Sequence, residues 1–288
     1  MTAIIFGAGG QDGYYLTRLL EEKNVKVIGV SRRNGFLNVD IGNYADVSSL
    51  IKNYQPDFIF HLAANSTTRH EAMFENHTTI SIGTLNILEA VKNFSPAAKV
   101  FISGSGLQFK NDNKPIKESD PFEARDPYCV SRIQSVYAAR YFSTLGLHIY
   151  VGYFFNHDSP LRTERHMTKK IAEAAKRIAA GSPETLTIGD ISVIKEYTYA
   201  GDIAKGIWAL INNNEILEAN VSSGKGYSIE DWLNKCFGYI KKDWQKYVLT
   251  NEGFVPEYKM LISDPTIIFS LGWQLEISFD ELALIMMK

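Results

Sequence analysis

Short apolar runs alternate with amphipathic stretches over the first half of the chain. Ala3 to Phe6 is rich in β-branched and aromatic residues and predicts a buried strand. Tyr15, Leu16, Leu19 and Leu20 follow at helical spacing. Lys26–Val30 predicts a second strand, 45–53 a helix and Asp57–Ala64 a third strand. Thr78–Phe94 has the pattern of a long amphipathic helix, Ala98–Ser103 of a strand, Tyr128 to about Leu145 of a helix and His148–Phe155 of a strand. This alternation predicts an α/β fold, a Rossmann-type doubly wound parallel sheet with helices on both faces, over residues 1–156. After Asn156 the rhythm changes. A helix is predicted over Thr168–Ala180, and short strands then mix with helices near 202–213, 229–241 and 278–287. Residues 157–288 therefore read as a smaller α+β lobe, interleaved with the first.

The first strand runs straight into Gly7-Ala-Gly-Gly10-Gln-Asp-Gly13, and a helix follows. Strand, glycine turn and helix together are the context for a dinucleotide pyrophosphate. The glycines let the backbone approach the phosphates, and the helix N-terminus supplies free N–H groups. The second strand ends in Ser31-Arg32-Arg33, and the first nearby acid is Asp40. A carboxylate at the strand end repels a ribose 2′-phosphate, whereas Arg pairs with one bidentately. NADP is the expected cofactor, with NAD as the alternative. Ala63 and Ala64 let the third strand pass close beneath it, and His61 reads as a packed residue. Asn156, a polar residue directly after an apolar strand end, stands where such a sheet presents ligand contacts.

Composition narrows the picture further. The 288 residues are 45% hydrophobic and 22% charged with net charge −2, so no bulk attraction to nucleic acid or anionic membrane is expected. Cys129 and Cys236 lie far apart and fit neither a disulfide framework nor a metal knuckle. His157 and Asp158 are adjacent without ligand spacing, His166 is isolated, and no metal site is expected. The first apolar stretch lacks a basic leader and no window approaches a membrane span, so the cytoplasm is the expected compartment.

The chain resembles the extended short-chain dehydrogenase/reductases that act on nucleotide sugars, and most closely the GDP-mannose 4,6-dehydratases. The glycine turn, Ser31-Arg-Arg33 and His61-Leu-Ala-Ala64 carry the resemblance, with Lys117 to Phe122 leading to Asp126-Pro-Tyr128. It continues in Phe154-Phe-Asn-His-Asp-Ser-Pro160, Thr168-Lys-Lys-Ile171, Asp264-Pro265, Leu271-Gly-Trp273 and Ser278-Phe-Asp-Glu281. It implies a GDP-linked sugar substrate and a homodimer or homotetramer built through the helices at 78–94 and 128–145. It implies cofactor contacts from Gly7, Gly10, Gln11, Asp12, Gly13, Arg32, Arg33, Asp40, Ile41, Leu62, Ala63, Ala64, Tyr128 and Arg132. It also implies substrate contacts from Asn156, Arg162, Thr168, Lys169 and Lys195.

In that family a Tyr and a Lys one helical turn later form the redox pair. Tyr exchanges the sugar hydroxyl proton, and the cation favours the phenolate and holds the ribose. Here Tyr128 is present and position 132 is Arg, which keeps the charge but never deprotonates. The dehydratases also carry Thr-Ser-Glu after the fourth strand, where Glu removes the proton that precedes loss of water. The matching residues here are Gly104, Ser105 and Gly106. Ser103 or Ser105 can supply the hydroxyl, and nothing adjacent supplies the base. Lys195-Glu-Tyr197 and Phe254 stand where the family has two diphosphate-binding Arg residues.

Three readings follow. One is redox at sugar C4, using Tyr128, Arg132, a Ser103 or Ser105 hydroxyl and the nicotinamide. The second is a 4,6-dehydratase with a relocated base. The third is a cofactor- or nucleotide-sugar-binding protein with little turnover. The residues present favour the first.

Overall fold

The computed structural model describes residues 1–251 and 253–288. The first half forms β1 (Thr2–Phe6), α1 (Gln11–Glu22), β2 (Lys26–Val30), α2 (Tyr44–Tyr54) and β3 (Phe58–His61). Then come α3 (Met73–Asn76), α4 (Gly83–Phe94), β4 (Lys99–Ser105), α5 (Pro127–Thr144) and β5 (His148–Phe154). The second half adds β6 (His157–Asp158), α6 (Met167–Ala179), β7 (Leu186–Ile188), β8 (Ile194–Glu196), β9 (Thr198–Tyr199), α7 (Ala200–Asn212) and β10 (Glu218–Val221). It ends with β11 (Gly226–Ser228), α8 (Ile229–Tyr239), β12 (Val248–Thr250), β13 (Met260–Leu261), α9 (Thr266–Ser270) and α10 (Phe279–Met287).

The central sheet runs β2-β1-β3-β4-β5-β10, and every pair in it is parallel. Chain order reverses at β1, which lies between β2 and β3. Ligands of open α/β sheets bind beyond the strand ends at such a reversal. One face of the sheet packs Ala3, Ile5, Phe60 and Phe101 against Leu16 and Leu20 of α1 and Ile203 and Ile207 of α7. The other packs Ile4, Ile59, Val100 and Ile102 against Val47 of α2, Leu88 of α4 and Val136 of α5. Fully buried Leu or Ile side chains in these layers contribute about 1.5–3 kcal/mol each.

The chain returns to this sheet after residue 156, since β10 pairs with β5 and α7 covers the α1 face. The rest of the second half has its own core, in which Trp232 stacks on Tyr197 at 5.1 Å and meets Phe279.

The predicted helix at 78–94 starts earlier, at Met73, and passes through a π-helical stretch over His77–Ile82. The Ile80 carbonyl within it takes the Gly83 N–H. It accepts from the Thr84 and Ser135 hydroxyls at 2.7 and 3.1 Å and faces His61 Nε2 at 3.4 Å. His61 is thus a packed residue, and burial, aided by the nearby Arg132 charge, pulls its pKa down to about 3.

Candidate active site

A cleft of about 960 Å³ opens over the ends of β1, β2 and β3. Gly7, Gly10, Arg32, Arg33, Asp40, Ile41, Leu62, Ala63 and Ala64 line it, so most of the predicted cofactor residues meet there. At Gly7 and Gly13 the turn between β1 and α1 has no room for a side chain. Gly7 has φ +94°, and a Cβ on it stands 2.7 Å from the Ala63 backbone nitrogen. A Cβ on Gly13 stands 2.4 Å from the Gly7 carbonyl oxygen. Helix α1 begins at the cleft with no side chain capping its first turn. Its leading N–H groups are the ones a helix leaves unmatched. Bare backbone, an uncapped helix N-terminus and a long cleft fit a dinucleotide.

The side chains of Gln11 and Asp12 turn away from this cleft toward 157–159. Gln11 Oε1 accepts the Ser159 hydroxyl at 2.8 Å. Asp12 Oδ1 meets His157 Nε2 at 2.9 Å. His157 Nδ1 lies 2.7 Å from the Phe155 carbonyl and donates to it, so the Nε2 contact to a carboxylate is made by an imidazolium. Burial works against both charges, yet each holds the other. Asp12 is brought down to about 2, and His157 is raised above its ordinary value.

Helix α5 is started by Asp126, whose carboxylate accepts the Cys129 N–H at 2.8 Å, and by Pro127 at the first helical position. Tyr128 therefore lies in the first turn and Arg132 one turn on, on the same face. The Arg132 guanidinium sits 5.1 Å from the Tyr128 ring centroid. Its Nη1 donates to the Ser103 carbonyl and, at 2.8 Å, to the Ser103 hydroxyl. Arg132 Nε is buried without a partner among the described residues. Ser103 Oγ donates in turn to the His61 carbonyl at 2.8 Å. Ser103 thus supports Arg132, and its hydroxyl is already committed. Ser105 caps the short turn Gly106–Gln108, accepting the Leu107 N–H at 3.2 Å and keeping its own proton to donate.

Gly104 and Gly106 are filled from the neighbouring strand. A Cβ on Gly104 meets the Tyr153 ring at 2.5 Å, and one on Gly106 meets the Phe155 ring at 2.7 Å. Both rings are buried. Tyr153 is fully buried and donates to Glu218 at 2.6 Å, and Arg140 grips Glu218 through two bonds. Phe155 is buried in the same core. The nearby acids are engaged as well: Glu118 accepts the Asn220 N–H, Asp120 the Lys117 N–H, and Asp126 caps α5. Cys129 is no nucleophile, because burial and its bond to Asp126 push the thiol up.

A second group gathers where β6 and β8 meet α6. Arg162 Nη2 donates to the His157 carbonyl at 3.0 Å, and its Nη1 lies 3.3 Å from His166 Nε2. Burial and then the Arg162 charge bring His166 down to about 4, so it accepts this bond as neutral imidazole. Lys195 packs 5.3 Å over the Tyr197 ring, and burial pulls its ammonium below its ordinary value against the pull of Asp158. The Asn156 Oδ1 and Arg162 Nε atoms are buried without hydrogen-bond partners among the described residues. Two predicted contacts are otherwise spent. Thr168 Oγ1 donates to Asp158 at 2.7 Å, and Lys169 pairs with Glu173 at 2.7 Å. Phe254 lays its ring over Gly189.

Sequence reasoning missed several cleft residues, among them Asn65, Glu75, Thr78, Thr79 and Arg165. Thr78 and Thr79 lie in the π-helical stretch, which periodicity does not reveal.

A parallel sheet with a glycine turn at its reversal, and a tyrosine with a cation one turn on, define a short-chain dehydrogenase/reductase. The family model of GDP-mannose 4,6-dehydratase matches residues 4–286, and the chain belongs to that family of nucleotide-sugar-modifying, NAD(P)-dependent enzymes. It is 29% identical to GDP-mannose 4,6 dehydratase 1 of Arabidopsis thaliana, over 99% of this chain and 88% of that one. It is 28% identical to the human GDP-mannose 4,6 dehydratase, over 83% and 72% of the two chains. Among solved structures it is similar to the RMD of Pseudomonas aeruginosa complexed with NADPH, with TM-score 0.87, 21% identity and coverage of 99% and 97%. It is similar also to a UDP-glucose 4-epimerase of Thermotoga maritima, with TM-score 0.90, 19% identity and coverage of 100% and 97%. Among the described residues no helix is long and apolar enough to cross a membrane.

Proposed function

We propose that the chain carries out redox at C4 of a GDP-linked sugar, as a 4-dehydrogenase or a 4-keto reductase, without eliminating water. The observation that carries this reading is the packing at Gly104 and Gly106. A side chain at either position, where the resemblance puts the hydroxyl and the base of elimination, would meet the buried ring of Tyr153 or Phe155. A positioned general base is worth about 10²–10⁴-fold in rate. Redox alone does not need it.

NADP is the expected dinucleotide, on the strength of Arg32 and Arg33 at the cleft, with NAD as the alternative. A nicotinamide bound there would supply the hydride acceptor or donor. The Tyr128 phenolate takes the proton from the sugar hydroxyl in oxidation, and the Tyr128 hydroxyl gives it back in reduction, so one hydride and one proton leave or arrive together. Arg132 supplies a fixed positive charge beside Tyr128 and, through Nε, a free donor. Ser105 offers a hydroxyl to the reacting oxygen. Asn156, Arg162 and Lys195 meet the substrate, the two cations facing its diphosphate.

Stoichiometry tests this directly. A dehydratase recycles its nicotinamide and shows no net change in reduced dinucleotide. The C4 redox enzyme converts one dinucleotide per sugar, read from the nicotinamide absorbance. Product without net dinucleotide conversion contradicts the proposal.

The self-association reading rests on α4 and α5. Tyr137 and Tyr141 on α5 are 59% and 60% exposed, and Leu85 on α4 is also exposed. We expect these faces to pair between copies, giving a particle of at least twice 32.4 kDa in solution scattering. A mass near one chain contradicts it.

A further inference from the structure

We propose that Glu75 sets the discrimination between phosphorylated and unphosphorylated dinucleotides, by competing with a ribose 2′-phosphate for Arg32. The inference rests on the dinucleotide reading of the cleft. Arg32 leaves the end of β2 and reaches across the cleft mouth to α3. Its Nη1 and Nη2 both donate to Glu75 Oε1, at 3.1 and 3.2 Å. The other carboxylate oxygen of Glu75 accepts the Asn65 Nδ2–H at 2.7 Å. Glu75 is thus held from two sides, by the residue expected to read the phosphate and by the loop after β3. All three residues line the cleft.

The second acid on the lining behaves differently. Asp40 Oδ1 accepts the Gly42 N–H at 2.9 Å and serves its own loop. The charge opposite Arg32 is therefore that of Glu75. A 2′-phosphate pairs with a guanidinium bidentately, but it must first displace this carboxylate and then lie beside it. A bare ribose hydroxyl has no such cost. It donates to Glu75 while Arg32 stays in place. Glu75 thus opposes the pull of Arg32 and Arg33 toward NADP and keeps NAD within reach.

Glu75→Gln removes the charge and keeps an acceptor for Arg32 and a shape that fills the same space. Dissociation constants for NADP⁺, NAD⁺ and 2′,5′-ADP are measured by calorimetry on the whole chain, with no turnover involved. Release from an exposed ion pair is worth about fivefold. E75Q should bind NADP⁺ and 2′,5′-ADP about fivefold more tightly and NAD⁺ within about twofold of the parent. In an Arg32→Ala background the same change should strengthen NADP⁺ binding by less than it does in the parent. Unchanged or weakened NADP⁺ binding by E75Q, with NAD⁺ still bound, overturns the role of Glu75 alone. Failure of the parent chain to bind any of the three ligands overturns the cleft reading itself, and this inference with it.

Discussion

Phenylalanine at position 128 should lower turnover by about 10²–10⁴-fold while dinucleotide affinity stays within about twofold. The two effects separate because the substitution removes only the hydroxyl. The ring remains in the first turn of α5, and the Arg132 guanidinium keeps its place over it, 5.1 Å from the centroid. Phe presents the same π-face to the cation, so the helix start and the bonds from Arg132 to Ser103 are preserved. On the proposed reading, what is lost is the group that exchanges a proton with the sugar hydroxyl. Steady-state kinetics and a direct binding titration read the two quantities. Turnover within about threefold of the parent leaves Tyr128 a packing residue and removes the acid/base role.

The second large effect comes from breaking the link between the glycine turn and the segment after β5. In His157→Leu the Asp12 carboxylate, 24% exposed, loses its imidazolium. Removing one partner of a buried pair costs about 3 kcal/mol, or roughly 5–10 °C in Tm for a chain of this size. The sign of the pH dependence follows from the two shifts. His157 is raised above 6.5, so its contribution is full below that pH and is lost as pH rises through the folded value. Asp12 is lowered from 3.8 to about 2, so its contribution is full above 3.8 and is lost as pH falls through about 2. The Tm gap between parent and H157L should therefore be widest near pH 5 and narrow on the alkaline side. Thermal melts across that range check it. A gap that is flat, or wider at pH 8 than at pH 5, contradicts the charged pair.

The parts of the molecule that were legible in the sequence are those governed by local periodicity and local turn chemistry. β1, the glycine turn and α1 follow from four apolar residues, three spaced glycines and a leucine repeat. The same holds for β4 and β5, where runs of apolar residues lie on both faces of a buried parallel strand. The return of β10 to the central sheet was not legible. Glu218–Val221 is four residues long, and what makes it a strand is the exposed edge of β5, a tertiary fact. The site divides in the same way. Gly104 and Gly106 stand where the resemblance puts Thr and Glu, and that a Cβ there would meet the Tyr153 and Phe155 rings is visible only in the fold. The direction of the Gln11 and Asp12 side chains depends on residues nearly 150 positions away in sequence, as their bonds to Ser159 and His157 show. Glu75 could not be singled out either, since its meaning comes from Arg32 reaching it across the cleft.

On the proposed reading Tyr128 and Arg132 are the redox pair, and there is no room for a side-chain base at Gly104 or Gly106. The most direct measurement is the mass of the product formed from GDP-mannose with NADP⁺ and from a 4-keto GDP-sugar with NADPH. A sugar changed by two hydrogens, with no water lost, is the predicted result. A product lighter by one water contradicts the account and demands a base outside the Gly104–Gly106 turn.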